Sequence, residues 1–406
     1  MALVKGTGPA GLVSTEGTLP EQKVIDMDST IKMLDLDTDQ FTTMLDDLGT
    51  KAATREKVNW LEDDYAPKMV KLNAAVADGV ATSAVLAPAY KDYIKTYDTL
   101  RNLTTGEAIR VTAVNADGVT LTITRSEGAT AGAAMTTGQD LLITGSAYPQ
   151  GADVGDLLYV QRVLGYNYTQ IFRTAWGFTG TEVEIEQYGG RDPAMEQAKK
   201  LVEHRSLLER SAFWGAREFM TINTNSPKPY GSAGGMFEFI QANRFDANGA
   251  ITADYIDNVL RYVYAHGSTD KVAYAHPLIG MAFSKMNRVG QGLYWSNSGD
   301  NNVHGVKVDG FVSGAYGYKL PIIVKREWNS IPEANEFGAC MFIIDMNYVS
   351  RRPMRNRDTK LLTNRQGPGI DGIINEYLTE SSFQIAHGGG TSGVHGLIHG
   401  VTSIAP

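Results

Sequence analysis

The sequence predicts an α+β chain arranged as an arm, a β-rich excursion, one long helix and a mixed α/β region. Three observations predict it. Strand-like alternation with turn signals fills residues 80 to 165, a helical pattern runs unbroken from 192 to 221, and helices alternate with strands from about 225 to 345. No catalytic signature competes with this order of segments, which suits an architecture made to pack against copies of itself.

The arm spans residues 1 to 54. After a Gly, Thr and Pro-rich start, residues 21 to 47 carry Asp26, Asp28, Asp35, Asp37, Asp39, Asp46 and Asp47, interspersed with Ile31, Leu34, Phe41 and Leu45. Leaving those apolar side chains in water is costly, so Phe41 and Leu45 are expected to dock on a neighbouring surface; the short helix near 38 to 48 belongs to the alternative reading. An ordinary acidic surface segment is the alternative.

The excursion spans residues 55 to 180. TREKVNWLEDDYAP (54 to 67) reads as an extended strand that begins it. Ile109, Val111 and Ala113 precede an NADG turn, and Val119, Leu121 and Ile123 follow it, all alternating with polar residues, which is a hairpin pattern. The intervening Thr112, Thr120, Thr122 and Thr124 suit a wet outer face. With strands at 138 to 148 and 155 to 165, residues 80 to 165 form a small inserted β-domain. An aromatic strand follows, in which Tyr166, Tyr168, Phe172, Trp176 and Phe178 share one face and Asn167, Thr169 and Arg173 the other. It serves either as core or as an interface.

Asp192 as N-cap and Pro193 at the first helical position open the long helix, whose apolar stripe runs through Ala198, Leu201, Leu208, Ala212, Gly215 and Phe219. Beyond it, helices are expected at 252 to 266, capped by Thr252, and at 277 to 289, started by Pro277. They alternate with the strands KVAYAHP, KLPIIVKREW and CMFIIDMNYV, and the tail after residue 345 reads as strands separated by a Gly-rich turn.

Composition bounds the function. The chain has 406 residues, 43% of them hydrophobic, and a net charge of -8, so no whole-protein field attracts nucleic acid or anionic lipid. Cys340 is the only cysteine, which excludes an intramolecular disulfide and suits a reducing compartment. The start lacks a signal-peptide pattern and no segment is long enough to cross a bilayer, so a soluble product with no membrane partner is expected. No Walker A loop or HExxH occurs, and His395 and His399 lack further ligands, so no metal or other cofactor is expected. The HGGG string at 387 to 390 is the one support for a hydrolase, and no Gly-x-Ser-x-Gly elbow accompanies it, so no catalytic residue is assigned. The basic run Arg351, Arg352, Arg355, Arg357, Lys360 and Arg365 suits charge pairing, between subunits or with the Asp-rich arm. Contact with DNA phosphates is the alternative.

These residues resemble the major capsid proteins of tailed bacteriophages, which have the Hong Kong 97-type fold. The resemblance rests on the acidic arm, KVNWLEDDYAPK, the inserted β segment, NYTQIF (167 to 172), the long helix, GSAGGM (231 to 236) and the closing NEYLTESSFQIAHGGG, in that order along the whole chain. It implies an N-terminal arm (1 to 54), an extended loop (55 to 180), a peripheral domain with a spine helix (181 to 224), an axial domain (225 to 345) and peripheral C-terminal strands (346 to 406). It also implies that pentameric and hexameric units assemble into an icosahedral shell around double-stranded DNA, with no enzymatic activity. A separate scaffolding protein, a portal and a decoration protein are the implied partners. The implied location is the virion, after assembly in the host bacterial cytoplasm. A tail or decoration module is the alternative, supported only by the β-rich half and the aromatic strand.

Overall fold

In the computed structural model, which describes residues 40–153, 155–185, 193–221, 228–290, 310–333, 335–389 and 393–404, residues 61–165 form one unit and the rest of the chain another. Each has its own apolar core. The arm before residue 40, with Asp26 to Asp39, lies outside the described residues, as does Asp192.

The chain enters with α1 (Gln40–Asp47), whose Phe41 and Leu45 lie one turn apart and are fully buried. After β1 (Lys57–Glu62) comes the smaller unit, made of β2 (Met69–Lys71), β3 (Ser83–Val85), β4 (Asp98–Asn102), β5 (Ala108–Val114), β6 (Thr120–Glu127) and β7 (Asp140–Ser146). All pairs are antiparallel, in the order β2-β7-β4-β5-β6-β3. The sheet then closes on itself. Leu72 bridges Leu86, while Asn73 N donates to Val85 O at 2.8 Å and Ala87 N to Lys71 O at 2.8 Å. The result is a six-stranded barrel filled by Val70, Leu86, Leu100, Ile109, Leu121 and Leu141.

Two expectations change here. The barrel begins with β2 at residue 69, not at 80, because β2 supplies the closing strand. A β-bulge between Val111 and Ala113 turns Ala113 outward and lets Val114 pack against the core instead. The NADG hairpin itself forms as expected, with Gly118 N donating to Asn115 O at 2.9 Å. Glu107, fully buried, binds Arg125 through both carboxylate oxygens at 2.6 Å, and Arg125 reaches on to the carbonyls of Asp78 and Ala133. Burial pulls the Glu107 carboxyl upward, but Arg125 and the amides of Ser126 and Ala133 outweigh it and hold it below the usual range.

The strand expected at 155 to 165 is mostly absent. Residues 155–162 form no strand, and Leu157 and Tyr159 are 94% and 78% exposed. The chain becomes regular again in β8 (Val163–Tyr168), which pairs with β1, and in β9 (Gln170–Thr179).

After α2 (Gly180–Glu184), α3 (Pro193–Trp214) is the long helix, about 33 Å long at 1.5 Å per residue. It stops seven residues short of the expected end. Gly215 is the reason: a Cβ there would stand 2.3 Å from Ala233 O and 2.5 Å from Ser211 O. The next residues become β10 (Glu218–Met220), paired with β11 (Tyr230–Ser232), so Phe219 leaves the predicted stripe and is exposed.

Then follow α4 (Met236–Phe239), β12 (Arg244–Ile251), α5 (Ala253–Val263), β13 (Lys271–Ala275), α6 (Pro277–Gly290), β14 (Gly310–Val312), β15 (Lys319–Val324) and β16 (Met341–Asp345). Thr252 caps α5 as expected, its hydroxyl accepting from Tyr255 N at 3.2 Å. The chain ends with β17 (Val349–Pro353), β18 (Lys360–Leu362), β19 (Gly372–Ile385) and β20 (Gly396–Ile404).

One sheet runs β12-β20-β16-β13-β15-β14. Alternate residues of its central strands face two cores. Ala273, Ala275, Met341 and Ile343 meet Ile256, Leu260, Ile279 and Phe283 of α5 and α6, while Tyr274, Phe342 and Ile344 meet Phe213 of α3 and Phe41 of α1. The last strand, β20, expected with the peripheral tail, lies in this sheet, parallel to β12 and antiparallel to β16. The second sheet sets β19 between β9 on one edge and β17 and β18 on the other.

Candidate functional site

The aromatic strand divides at Thr169. In β9, Phe172 and Trp176 are buried beside α3, and Trp176 packs on Tyr377 of β19 at 5.0 Å between ring centroids. His204 of α3 binds this sheet through Nδ1 to Thr174 Oγ1 at 2.9 Å and Nε2 to Thr379 Oγ1 at 2.8 Å. Burial pushes its pKa down to about 4. In β8 the facing reverses, and the polar Asn167, like Thr169 just after the strand, is buried. The five aromatic residues therefore do not share one buried face. Tyr166 is half-buried between two cations, Lys57 Nζ at 3.9 Å and the Arg217 guanidinium at 4.3 Å from its ring centroid, and Tyr168 stacks on Phe219 at 5.3 Å. Phe178 is half-buried near the end of β9.

Asn167 explains why a polar residue sits inside. Its side-chain nitrogen donates to Gly234 O at 3.0 Å and Phe383 O at 2.7 Å, and its oxygen accepts from Gly234 N at 2.8 Å and Tyr168 N at 2.9 Å. Gln170 completes the joint by accepting from Ser211 Oγ and Ala233 N, each at 3.1 Å. The NYTQIF and GSAGGM stretches are thus two halves of one lock at the end of α3.

Phe41 and Leu45 are buried in their own chain. The Phe41 ring lies 4.9 Å from Phe213 and 5.3 Å from Tyr274. Beneath α1, the Glu209 carboxylate accepts from Phe41 N at 3.1 Å and from Thr42 N and Oγ1 at 3.0 Å each, and is paired with Lys325 Nζ. A side chain of the long helix therefore satisfies the first amides of the arm helix. Sequence reasoning missed Glu209 and Lys325, which lie 116 positions apart. The only signal was a glutamate placed next to the apolar stripe of α3.

The basic run is distributed among several partners. Arg351 is buried and binds arm residue Asp46 at 2.6 Å and Asp358 at 3.0 Å. Arg357 pairs with Glu380 at 2.5 Å, and Arg365 shares Glu376 with Arg173, at 3.3 and 2.6 Å. Arg355 and Lys360 are exposed and form no ion pair among the described residues. Arg352 lies opposite Ser382; its Nε is buried without a hydrogen-bond partner, and burial lowers its pKa.

Beyond these pairs, six exposed large apolar side chains, among them the two most exposed of the described residues, fall on the two stretches of chain that lead into and out of the barrel. Leu61 and Tyr65 are 64% and 94% exposed on the outgoing chain, and Leu157, Tyr159, Val163 and Leu164 are exposed on the returning one. Among the described residues no group of three or more His, Cys, Asp or Glu side chains could hold a metal ion, and no helix is long and apolar enough to cross a membrane.

Comparison with known proteins gives this geometry a context. A model of the family described as SU10 major capsid protein matches residues 11–387. A major capsid protein of Pseudomonas phage PaMx41 is 27% identical over 164 residues, a match spanning 40% of this chain and only 39% of that relative's length. Among solved structures, the capsid of an empty GTA particle superposes with a TM-score of 0.48 at 10% identity, covering 96% of this chain and 98% of the other. That of Microbacterium phage Oxtober96 gives 0.42 at 13% identity, with 93% and 96% covered.

Proposed function

This chain belongs to the SU10 major capsid protein family, and from that premise we propose that its copies form pentameric and hexameric units that close into an icosahedral shell around double-stranded DNA. The exposed apolar residues of the excursion carry the reading. Burying a side chain such as Leu157 or Tyr65 stabilises a complex by about 1.5–3 kcal/mol, and six such residues on two adjoining stretches of chain suit contact with a neighbouring copy. Tyr166, Tyr168 and Phe178, only half-buried, offer further aromatic surface on the larger unit.

In this reading residues 1–54 are the arm, 55–180 the extended loop with the barrel inserted, whose last strand β9 runs back into the peripheral domain formed by the spine α3 and β17 to β19. The six-stranded sheet is the axial domain, with β20 returning to it. Arg352, Arg355 and Lys360 face anionic partners, either acidic residues of neighbouring copies or DNA phosphates bound without sequence preference. Scaffolding, portal and decoration proteins are further partners, the virion is the final location after assembly in the host cytoplasm, and no catalysis is assigned.

The test is assembly of the full chain, with and without a coexpressed scaffolding protein, read by size-exclusion chromatography and electron microscopy. The parent chain should give rings or closed shells. The variant Leu157→Ser with Tyr159→Ser should keep the parent's thermal unfolding and lose the assemblies. Parent-like shells from that variant would remove the excursion from the contact.

A further inference from the structure

We infer that Asn248 is a site of spontaneous deamidation, which converts this position to aspartate and isoaspartate as the protein ages. The sequence contains one Asn-Gly pair, Asn248-Gly249. In such a pair the glycine nitrogen can attack the asparagine side chain, because glycine opposes no side chain to ring closure.

The structure leaves the pair open. Asn248 is exposed, and its carboxamide makes no hydrogen bond among the described residues. The ladder between β12 and β20 shifts register on both sides of Gly249, so regular pairing does not lock the backbone there. Gly249 has φ +121°, and the space a Cβ would occupy is empty to 4 Å. Asn248 itself has φ +45°, outside the extended range of a strand. Two other asparagines share left-handed backbone, Asn356 and Asn364, but arginines follow both.

The step balances without an oxidant or co-reactant. The Gly249 nitrogen, giving up its proton, forms a bond to Asn248 Cγ, the bond from Cγ to the side-chain nitrogen breaks, and ammonia leaves. Water then opens the cyclic imide at one of its two carbonyls. Opening at Cγ leaves the main chain intact with the side chain ending in a carboxylate; opening at the main-chain carbonyl frees that group as the carboxylate, routes the main chain through the former side chain and adds a methylene. Because β12 is an end strand of its sheet, this extra length falls where only β20 pairs with it. The new carboxylate also adds a charge two residues from Asp246, whose Oδ1 accepts from Asn248 N at 2.8 Å.

The experiment incubates the intact folded protein at neutral and mildly alkaline pH and follows the tryptic peptide of residues 245–261 by mass spectrometry. The expected result is the mass of an acid in place of an amide, assigned by fragmentation to Asn248 and not Asn258. The product should resolve into two chromatographic forms and appear at Asn248 before any asparagine that a side chain follows. Asn248→Gly, which suits the left-handed backbone, should remove the signal while leaving thermal unfolding unchanged. If the folded protein keeps the amide while the same peptide in isolation loses it, the fold protects the site and the inference is overturned.

Discussion

The barrel and the larger unit solve the same problem, a buried ion pair inside an apolar core, over very different sequence distances. In the barrel, Glu107 and Arg125 are 18 positions apart, and the whole core is drawn from residues 70 to 141. In the larger unit, Glu209 meets Lys325 across 116 positions, and one core joins Phe41 to Leu397. A unit assembled from near neighbours can fold from its own stretch of chain, whereas the larger one needs its arm, long helix and tail together.

Removing one acid at a time should separate the two units. Glu107→Ala strands Arg125, and Glu209→Ala strands Lys325 and also uncovers the amides of α1. Each should cost about 3–5 kcal/mol, because the partner charge stays buried. Hydrogen exchange read by peptide should show each loss confined to its own unit. A loss that spreads equally through both would mean they unfold as one.

Acid offers a gentler test. The seven histidines all lie outside residues 61–165. Burial lowers His204 and His395 to about 4 from an ordinary 6.5. Their neutral forms are favoured by the fold, so below pH 6.5 the unfolded chain takes up protons that the folded chain refuses. Stability of the larger unit should therefore fall between pH 6.5 and 4, by about 1.4 kcal/mol per pH unit for each histidine. Glu107, held below its ordinary 4.5, should keep the barrel insensitive until the pH drops further. Urea midpoints for each unit at pH 7 and 5.5 check this; equal shifts would contradict it.

The smallest expected effect is at Arg173. Its side chain is 56% exposed, and Arg365 also serves Glu376, so Arg173→Ala should change stability by less than about 1 kcal/mol. A larger change in thermal unfolding would make this outer face of the second sheet part of the stitching that holds the larger unit together.

What could be read from the sequence follows the same division. The NADG hairpin, the Thr252 cap and the two helices behind it were legible because turn chemistry and periodicity are local signals. The partner of β20 was not, since β12 lies about 150 positions earlier and nothing in either strand names the other. Residues 155–162 were misread as a strand because LLYV carries strand-like residues whether or not a partner strand exists. The end of α3 was misread because helix propensity continues through Arg217 and Glu218, while the close approach of Ala233 to Gly215 is a tertiary event. Asn167 was placed on the polar face of its strand because a residue's type does not reveal that four backbone partners await it.

Closure of the barrel has one more consequence. An open sheet leaves a row of unpaired amides and carbonyls that another chain can extend, a growing hazard when many copies are held close together. With Leu72 bridged to Leu86, the two end strands β2 and β3 are joined to each other, so this unit offers neighbouring copies less open edge for strand addition.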